Sequence, residues 1–285
     1  MMVDLLAGPF VEFAFMRRAL VAVVALALGA APLGVLLTLR RLSLVGDALS
    51  HAVLPGVALG FMFFGLSLTA LSIGGVLAGM LVVMAAALVS RHTRLAEDAS
   101  LAALYLVALA LGVMLISLQG SQIDLLHILF GNVLGVDRDG LLLVASVASA
   151  TLLLLALMYR GLLLESLDPA FLAAAQGRRA CFQQLFLMLV VVNLVAAFQT
   201  LGTLMAVGLM MLPAISARLW HDTLAGQLLH SAGCAMLAGV AGLLLSYYAA
   251  LPSGPSIIVC AGLLYGGSLL LSPRGVLATL RRART

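Results

Sequence analysis

The stretch ALVAVVALALGAAPLGVLLTL, residues 19 to 39, holds no charged side chain and runs into Arg40 and Arg41. A helix needs about 20 apolar residues to cross the hydrocarbon core of a bilayer, so this stretch is long enough to span it. The rest of the chain is similar, because 64% of its 285 residues are hydrophobic and only 9% are charged. Soluble domains do not have this composition. The sequence therefore predicts an all-α, polytopic membrane protein.

Nine apolar stretches are candidates for transmembrane helices. They cover approximately residues 19–39, 42–65, 68–90, 101–118, 141–159, 183–198, 203–219, 228–248 and 257–272. The sixth and seventh are short, and merging them would give eight helices instead of nine. No long polar stretch separates a soluble domain, so residues 1–285 are expected to form a single transmembrane domain.

The arginines favour nine spans and predict the orientation of the chain. Twelve of the fifteen lie in the connections that follow odd-numbered spans, which are Arg40, Arg41, Arg91, Arg94, Arg160, Arg178, Arg179, Arg218, Arg274, Arg281, Arg282 and Arg284. Basic residues concentrate on the cytoplasmic side, so we expect the N-terminus outside and the C-terminus in the cytoplasm. Eight spans would place the C-terminal arginines outside. The formal charge of +4 thus reports orientation, and no basic tract points to a nucleic-acid partner.

The second span carries an acid and a histidine inside apolar sequence. In VGDALSHAVLPGVALGF, residues 45–61, Asp47 and His51 lie four residues apart, on the same face of a helix. An ionised carboxylate is costly within a membrane, so it is expected to face a water-filled path, a partner or a cation. Carboxylate and imidazole together suit Zn²⁺ or Mn²⁺. Pro55 lacks an N–H, so the carbonyl of His51 is expected to lose its helical partner and to offer one more oxygen.

Two ligands are too few for a stable metal site. A homodimer with its twofold axis beside this helix would supply two carboxylates and two imidazoles. The alternative is a purely structural pair, in which Asp47 hydrogen-bonds His51, Ser43 or Ser50 and holds helices together. Metal or proton handling is the preferred interpretation, because ionisable residues inside membranes are functional by default.

Several blocks of the sequence, in order, resemble one known family. They include RRLSLVGDALSHAVLPGVALGF (40–61), DLLHILFGNVL (124–134), LDPAFLAAAQG (167–177) and SYYAALPSG (246–254). The chain resembles the membrane permease of bacterial zinc/manganese ABC importers, the ABC-3 family. The resemblance implies a homodimeric permease in the lipid of the bacterial inner membrane, two cytoplasmic ATP-binding subunits and an extracytoplasmic metal-binding protein. It also implies that Asp47 and His51 are the intramembrane ligands of the transported Zn²⁺ or Mn²⁺.

Residues 167–177 have the start and stop signals of a short helix after the fifth span. Asp168 can cap it, Pro169 suits its first position, and Gly177 can end it. The resemblance implies that this segment, which includes Phe171, is a cytoplasmic coupling helix that docks on the ATPase. The alternative is a surface helix that lies on the membrane.

Three weaker expectations concern other polar and special residues. Asp124 and His127 lie in an outside connection and are candidates for the metal entrance, although an ordinary interfacial helix explains them as well. His221 and Asp222 are expected to be solvated in a cytoplasmic loop. Pro213 is expected to break or kink the seventh helix.

Glycine pairs at a spacing of four residues are expected to allow close packing of helices. The pairs are Gly56 with Gly60, Gly75 with Gly79 and Gly262 with Gly266.

The chain has no sequence of its own for ATP hydrolysis. A phosphate-binding GxxxxGK[ST] loop is absent, and the chain contains no lysine, so the ATPase would be a separate partner and this subunit would not be an enzyme. The alternative function is a secondary carrier, in which Asp47 and His51 exchange protons for metal. An intramembrane metalloenzyme is disfavoured because HExxH is missing.

Overall fold

The structure is a computed structural model, and it describes residues 2–118, 133–167 and 179–277. These ranges contain eleven α-helices and one short 3₁₀ turn, Val133–Gly135. Helices dominate because backbone N–H and C=O groups have no water to bond inside a bilayer and must pair within their own segment. In chain order the helices are α1 Met2–Glu12, α2 Ala14–Leu39, α3 Val45–Ala52, α4 Leu54–Phe64, α5 Leu68–His92, α6 Glu97–Leu118, α7 Arg138–Leu167, α8 Arg179–Leu201, α9 Thr203–Trp220, α10 Leu224–Ala249 and α11 Ser253–Leu271.

Nine spans are confirmed within the described ranges, with α3 and α4 together forming the second. The alternative of eight, with the sixth and seventh merged, is wrong. Gly202 separates α8 from α9 with a φ of 94°, a conformation that glycine adopts at little cost and other residues rarely adopt. The helix is interrupted there, and α8 and α9 contact each other.

Helix α2 is the centre of the bundle. It packs against α7, α9 and α10, and most of its residues are buried. Helix α8 is similarly enclosed, whereas α6 and α7 direct most of their side chains outward. The fully buried side chains are almost all apolar, with Phe186, Met205 and Leu209 among the largest.

The glycine pairs of the second and third spans pack as expected. Helices α4 and α5 meet so closely at Gly56 and Gly74 that a side-chain carbon on Gly56 would overlap the carbonyl of Gly74. A carbon on Gly79 would lie 2.6 Å from a methyl group of Val191. In contrast, Gly262 and Gly266 have no such neighbour within 4 Å, so the packing expected for this pair is not made within the single chain.

Prolines in the spans have different effects. Pro55 lies in the first turn of α4, directly after the break at Val53 that divides the second span. Pro213 lies inside α9, which continues without interruption from Thr203 to Trp220. The expected break at Pro213 is therefore wrong, and the alternative of a kink stays a prediction. The flanks of Pro213 are buried against neighbouring helices, which hold the helical path despite the missing hydrogen bond.

Candidate metal site in the second span

Helix α3 places Asp47 and His51 side by side. It is a single eight-residue helix in which the two residues lie one turn apart, and Nε2 of His51 is 3.8 Å from Oδ1 of Asp47. That separation is too long for a hydrogen bond. Two ligand atoms of one ion, each about 2.1 Å from the metal, lie roughly 3 to 3.5 Å apart at octahedral or tetrahedral angles. A small side-chain movement would therefore allow both residues to bind one cation.

Ser50 does not form the alternative structural pair with the Asp47 carboxylate. The hydroxyl of Ser50 donates to the backbone carbonyl of Asp47 at 2.7 Å, and not to its carboxylate. In the single chain, 63% of the Asp47 side chain and 30% of the His51 side chain are exposed. Asp47 therefore points away from the rest of the chain, as a ligand for a cation or a residue facing a partner would.

The neighbouring Gly46 lets α3 approach α9. A side-chain carbon on Gly46 would lie 2.6 Å from the Cε methyl of Met210 and 3.8 Å from Sδ of Met211. Sequence reasoning did not find this contact, because no periodicity links residue 46 to residues so distant in the chain. The contact sets the depth at which α3, and with it Asp47, sits against the bundle.

The backbone at the break fits the expectation for Pro55. The N–H of Val53 is directed toward the carbonyl oxygen of His51, only two residues earlier, and the carbonyl of Val53 accepts from Val57 at 3.1 Å. The His51 carbonyl lacks the usual helical donor four residues on, because that residue is Pro55. Helix α6 approaches this point through Gly112, where a side-chain carbon would lie 3.0 Å from the Pro55 nitrogen.

The pair is incomplete as a metal site within one chain. In the described residues, no group of three or more His, Cys, Asp or Glu side chains could hold a metal ion. Asp124 and His127, proposed for the entrance, lie outside the described residues. So do Asp168, Pro169, Phe171 and Gly177 of the coupling segment.

The connection between α9 and α10 is held by arginines. Arg218 donates to the carbonyl of Thr38 at the end of α2, at 2.9 Å. Arg274 pairs with Asp222, and this guanidinium lowers the pKa of the exposed Asp222 carboxyl. Asp222 is thus solvated, as expected, but it is also ion-paired. Sequence reasoning gave no role to His230, whose ring lies beside His221 in this region.

Comparisons with known proteins place the chain in a family. Residues 12–272 match the family described as "ABC 3 transport family". The chain is 34% identical over 275 residues to the "Manganese transport system membrane protein MntC" of Halalkalibacterium halodurans, covering 96% of this chain and 93% of the relative. It is 32% identical over 263 residues to the "Manganese import system permease protein ScaB" of Streptococcus parasanguinis, covering 92% of each.

A solved structure has the same fold over nearly the entire chain. It is described as "PsaBC from Streptococcus pneumoniae in complex with Fab", and it matches with a TM-score of 0.85 and 30% identity over 99% of this chain and 100% of that one. The predicted family resemblance is confirmed. The chain belongs to the ABC 3 transport family and is the membrane permease subunit of a metal-ion ABC importer in the bacterial inner membrane, a transport subunit whose ATPase is a separate chain.

Proposed function

We propose that this chain forms the path by which an ATP-driven importer moves Mn²⁺ into the cytoplasm, and that Asp47 and His51 bind the ion on its way. The observation that carries the proposal is the exposed carboxylate of Asp47 beside an imidazole on a membrane-spanning helix. A mixed oxygen and nitrogen site suits Mn²⁺ as well as Zn²⁺. The names of the relatives, both manganese transporters, favour Mn²⁺.

Two copies of the chain would complete the site. Asp47 and His51 from each copy give four ligands, and the two carboxylates balance the charge of a divalent cation. The exposure of Asp47 in the single chain supports this arrangement, because it leaves the carboxylate available to an ion shared with a second copy.

Membership of the family supports further subunits in the importer. We infer two ATP-binding subunits on the arginine-rich side, with residues 167–177 docked on them, and a metal-binding protein delivering the ion outside. Asp124 and His127 are candidates for the entrance. Twelve of the fifteen arginines follow odd-numbered spans, which supports an outside N-terminus and a cytoplasmic C-terminus.

Uptake into proteoliposomes tests the path. The permease is reconstituted with its ATPase and binding protein, and ATP-dependent uptake of radioactive Mn²⁺ is compared between wild type, Asp47→Asn and His51→Ala. Loss of residues that only orient metal ligands lowers metal affinity or activity by about 10- to 100-fold. Removal of a ligand itself is therefore expected to lower uptake by at least that much. Assembly with the ATPase should be unchanged.

The matched controls are Asp98→Asn and His92→Ala, since both residues are exposed at helix ends. They are expected to keep wild-type uptake. Wild-type uptake in Asp47→Asn and His51→Ala would remove these residues from the path. Uptake driven by a pH gradient with the permease alone would instead support the proton-coupled carrier.

A further inference from the structure

A second group of nitrogen and oxygen atoms lies where α9 passes into α10. Trp220 ends α9, His221 follows it, and Gln227 and His230 lie on the first two turns of α10. We refer to these four residues as the His221–His230 cluster. Its arginine-bearing surroundings are those of the predicted cytoplasmic side, where α2 ends, whereas Asp47 and His51 lie inside the second span.

The amide of Gln227 has only one orientation that satisfies its hydrogen bond. One of its terminal atoms lies 2.9 Å from the backbone carbonyl of His221, and a carbonyl can only accept, so that atom is the Nε2 amino group. The Oε1 oxygen then points elsewhere, is buried and has no hydrogen-bond partner among the described residues. Only 5% of Gln227 is exposed, so this oxygen has no access to bulk water. A buried acceptor of this kind costs free energy unless something binds it.

His230 presents the same anomaly one turn further on. Its Nε2 atom is buried and has no partner in the described part of the chain. Residues 227 and 230 are three apart on one helix, so their side chains lie on the same face. Two buried atoms without a hydrogen-bond partner among the described residues, an oxygen and an imidazole nitrogen, therefore belong to side chains on the same face of α10.

The two imidazoles stand at the separation that a shared metal ion would require. The ring centroids of His221 and His230 are 5.2 Å apart, and the ring planes are inclined by 64°. Two imidazoles bound to one tetrahedral ion through nitrogens about 2.0 to 2.1 Å away have centroids roughly 5 Å apart. Trp220 lies beside the ring of His230, with ring centroids 6.0 Å apart and planes inclined by 25°.

The ion pair nearby does not repel a cation. Arg274 is neutralised by its ion pair with Asp222, the residue that follows His221, so this pair adds no net charge beside the imidazoles. The guanidinium of Arg218 donates to the carbonyl of Thr38 at the end of α2.

We propose that His221, His230 and the Oε1 oxygen of Gln227 form a second metal-binding site, separate from Asp47 and His51. Two imidazoles and a neutral oxygen favour Zn²⁺ over Mn²⁺, because Zn²⁺ binds nitrogen ligands more tightly than Mn²⁺ does and Mn²⁺ prefers carboxylates. The permease thus carries a zinc-selective site outside the proposed transport site, at the end of the molecule where imported metal would emerge.

Trp220 provides the test, because it is the single tryptophan of the chain and it lies against His230. The full-length permease is purified in detergent without its ATPase, and its tryptophan emission is followed while Zn²⁺ or Mn²⁺ is added at neutral pH. We expect a saturable change with Zn²⁺, and a half-saturating concentration at least about tenfold higher for Mn²⁺. His221→Ala and His230→Ala should each raise the half-saturating concentration of Zn²⁺ by about tenfold or more.

Matched controls separate this site from others. His92→Ala removes an exposed histidine at the end of α5, and Asp47→Asn changes the proposed transport site, so neither should alter the response of Trp220 to Zn²⁺. Equilibrium dialysis with radioactive zinc, which does not depend on Trp220, should show one zinc ion fewer per chain in His230→Ala than in wild type. No saturable response in wild type would mean that only water occupies the cluster, and an unchanged response in both histidine variants would place the zinc elsewhere. Either result would overturn the proposal, and neither depends on transport.

Discussion

At the scale of single residues, the contacts of a side chain distinguish positions that the sequence makes equivalent. Asp47 is an acid in a membrane span, and its spacing to His51 predicted the pair directly. Gly56 and Gly262 are both glycines at a four-residue spacing, yet Gly56 lies against the backbone of Gly74 while Gly262 faces open space. The sequence contains no signal that separates the two, because close approach depends on a helix elsewhere in the chain.

Gly56→Ala and Gly262→Ala should therefore behave differently. The new methyl group of Gly56→Ala would overlap the Gly74 carbonyl, and such overpacking costs about 1 to 3 kcal/mol. Gly262→Ala has room, and alanine favours a helix over glycine by up to about 1 kcal/mol, so stability should be unchanged or slightly higher. Thermal unfolding in detergent, followed by circular dichroism, measures both. Equal destabilisation of the two variants would contradict the packing seen at Gly56.

At the scale of helices, the sequence predicted the existence of the spans better than their interruptions. Pro55 accompanies a break at Val53, whereas Pro213 lies inside a continuous helix. The residue type is the same, but α9 is supported along its length by α2, α10 and α11. The sequence also did not predict the polar contacts between helices. One example is Asn193 of α8, which donates to Thr151 of α7 at 2.6 Å.

Thr151→Val tests the contribution of that interhelical hydrogen bond. The change keeps the shape of a fully buried side chain and replaces its hydroxyl with a methyl group. Hydrogen bonds between membrane helices contribute on average about 0.6 kcal/mol and at most about 1.7 kcal/mol to stability. The free energy of unfolding, measured by reversible unfolding in detergent, is therefore expected to fall by an amount in this range. Thr69→Val, at the exposed start of α5, is the matched control and should leave the free energy of unfolding unchanged. If both variants are equally stable, the hydrogen bond does not hold α7 to α8.

At the scale of the whole molecule, the chain encloses α2 and α8 but leaves its proposed transport ligands on an open face. Asp47 is more exposed than His51, and no third ligand from the described residues joins them. A path built by two copies would place both pairs together, so one defective copy should disable the site.

Mixed dimers test this arrangement. Wild-type and Asp47→Asn chains with different affinity tags are co-expressed, and particles holding one of each are isolated through both tags in succession and reconstituted with the ATPase. Because each ion would need both carboxylates, uptake of Mn²⁺ should fall to nearly the level of the doubly substituted dimer. Particles with two wild-type copies, purified in the same way, are the control. About half of the control uptake would mean that each chain carries its own complete path.

The sequence by itself determined the class of fold, the nine spans and the position of the Asp47–His51 pair. These features depend on apolar length, on arginine placement and on the period of the helix, all of which are local. Only the tertiary structure decided that Gly202 adopts a positive φ between the sixth and seventh spans, that Gly56 rather than Gly262 makes a close contact, and that the rings of His221 and His230 lie together. Those outcomes depend on which surfaces pack together, and packing joins residues whose separation along the chain carries no periodic signal.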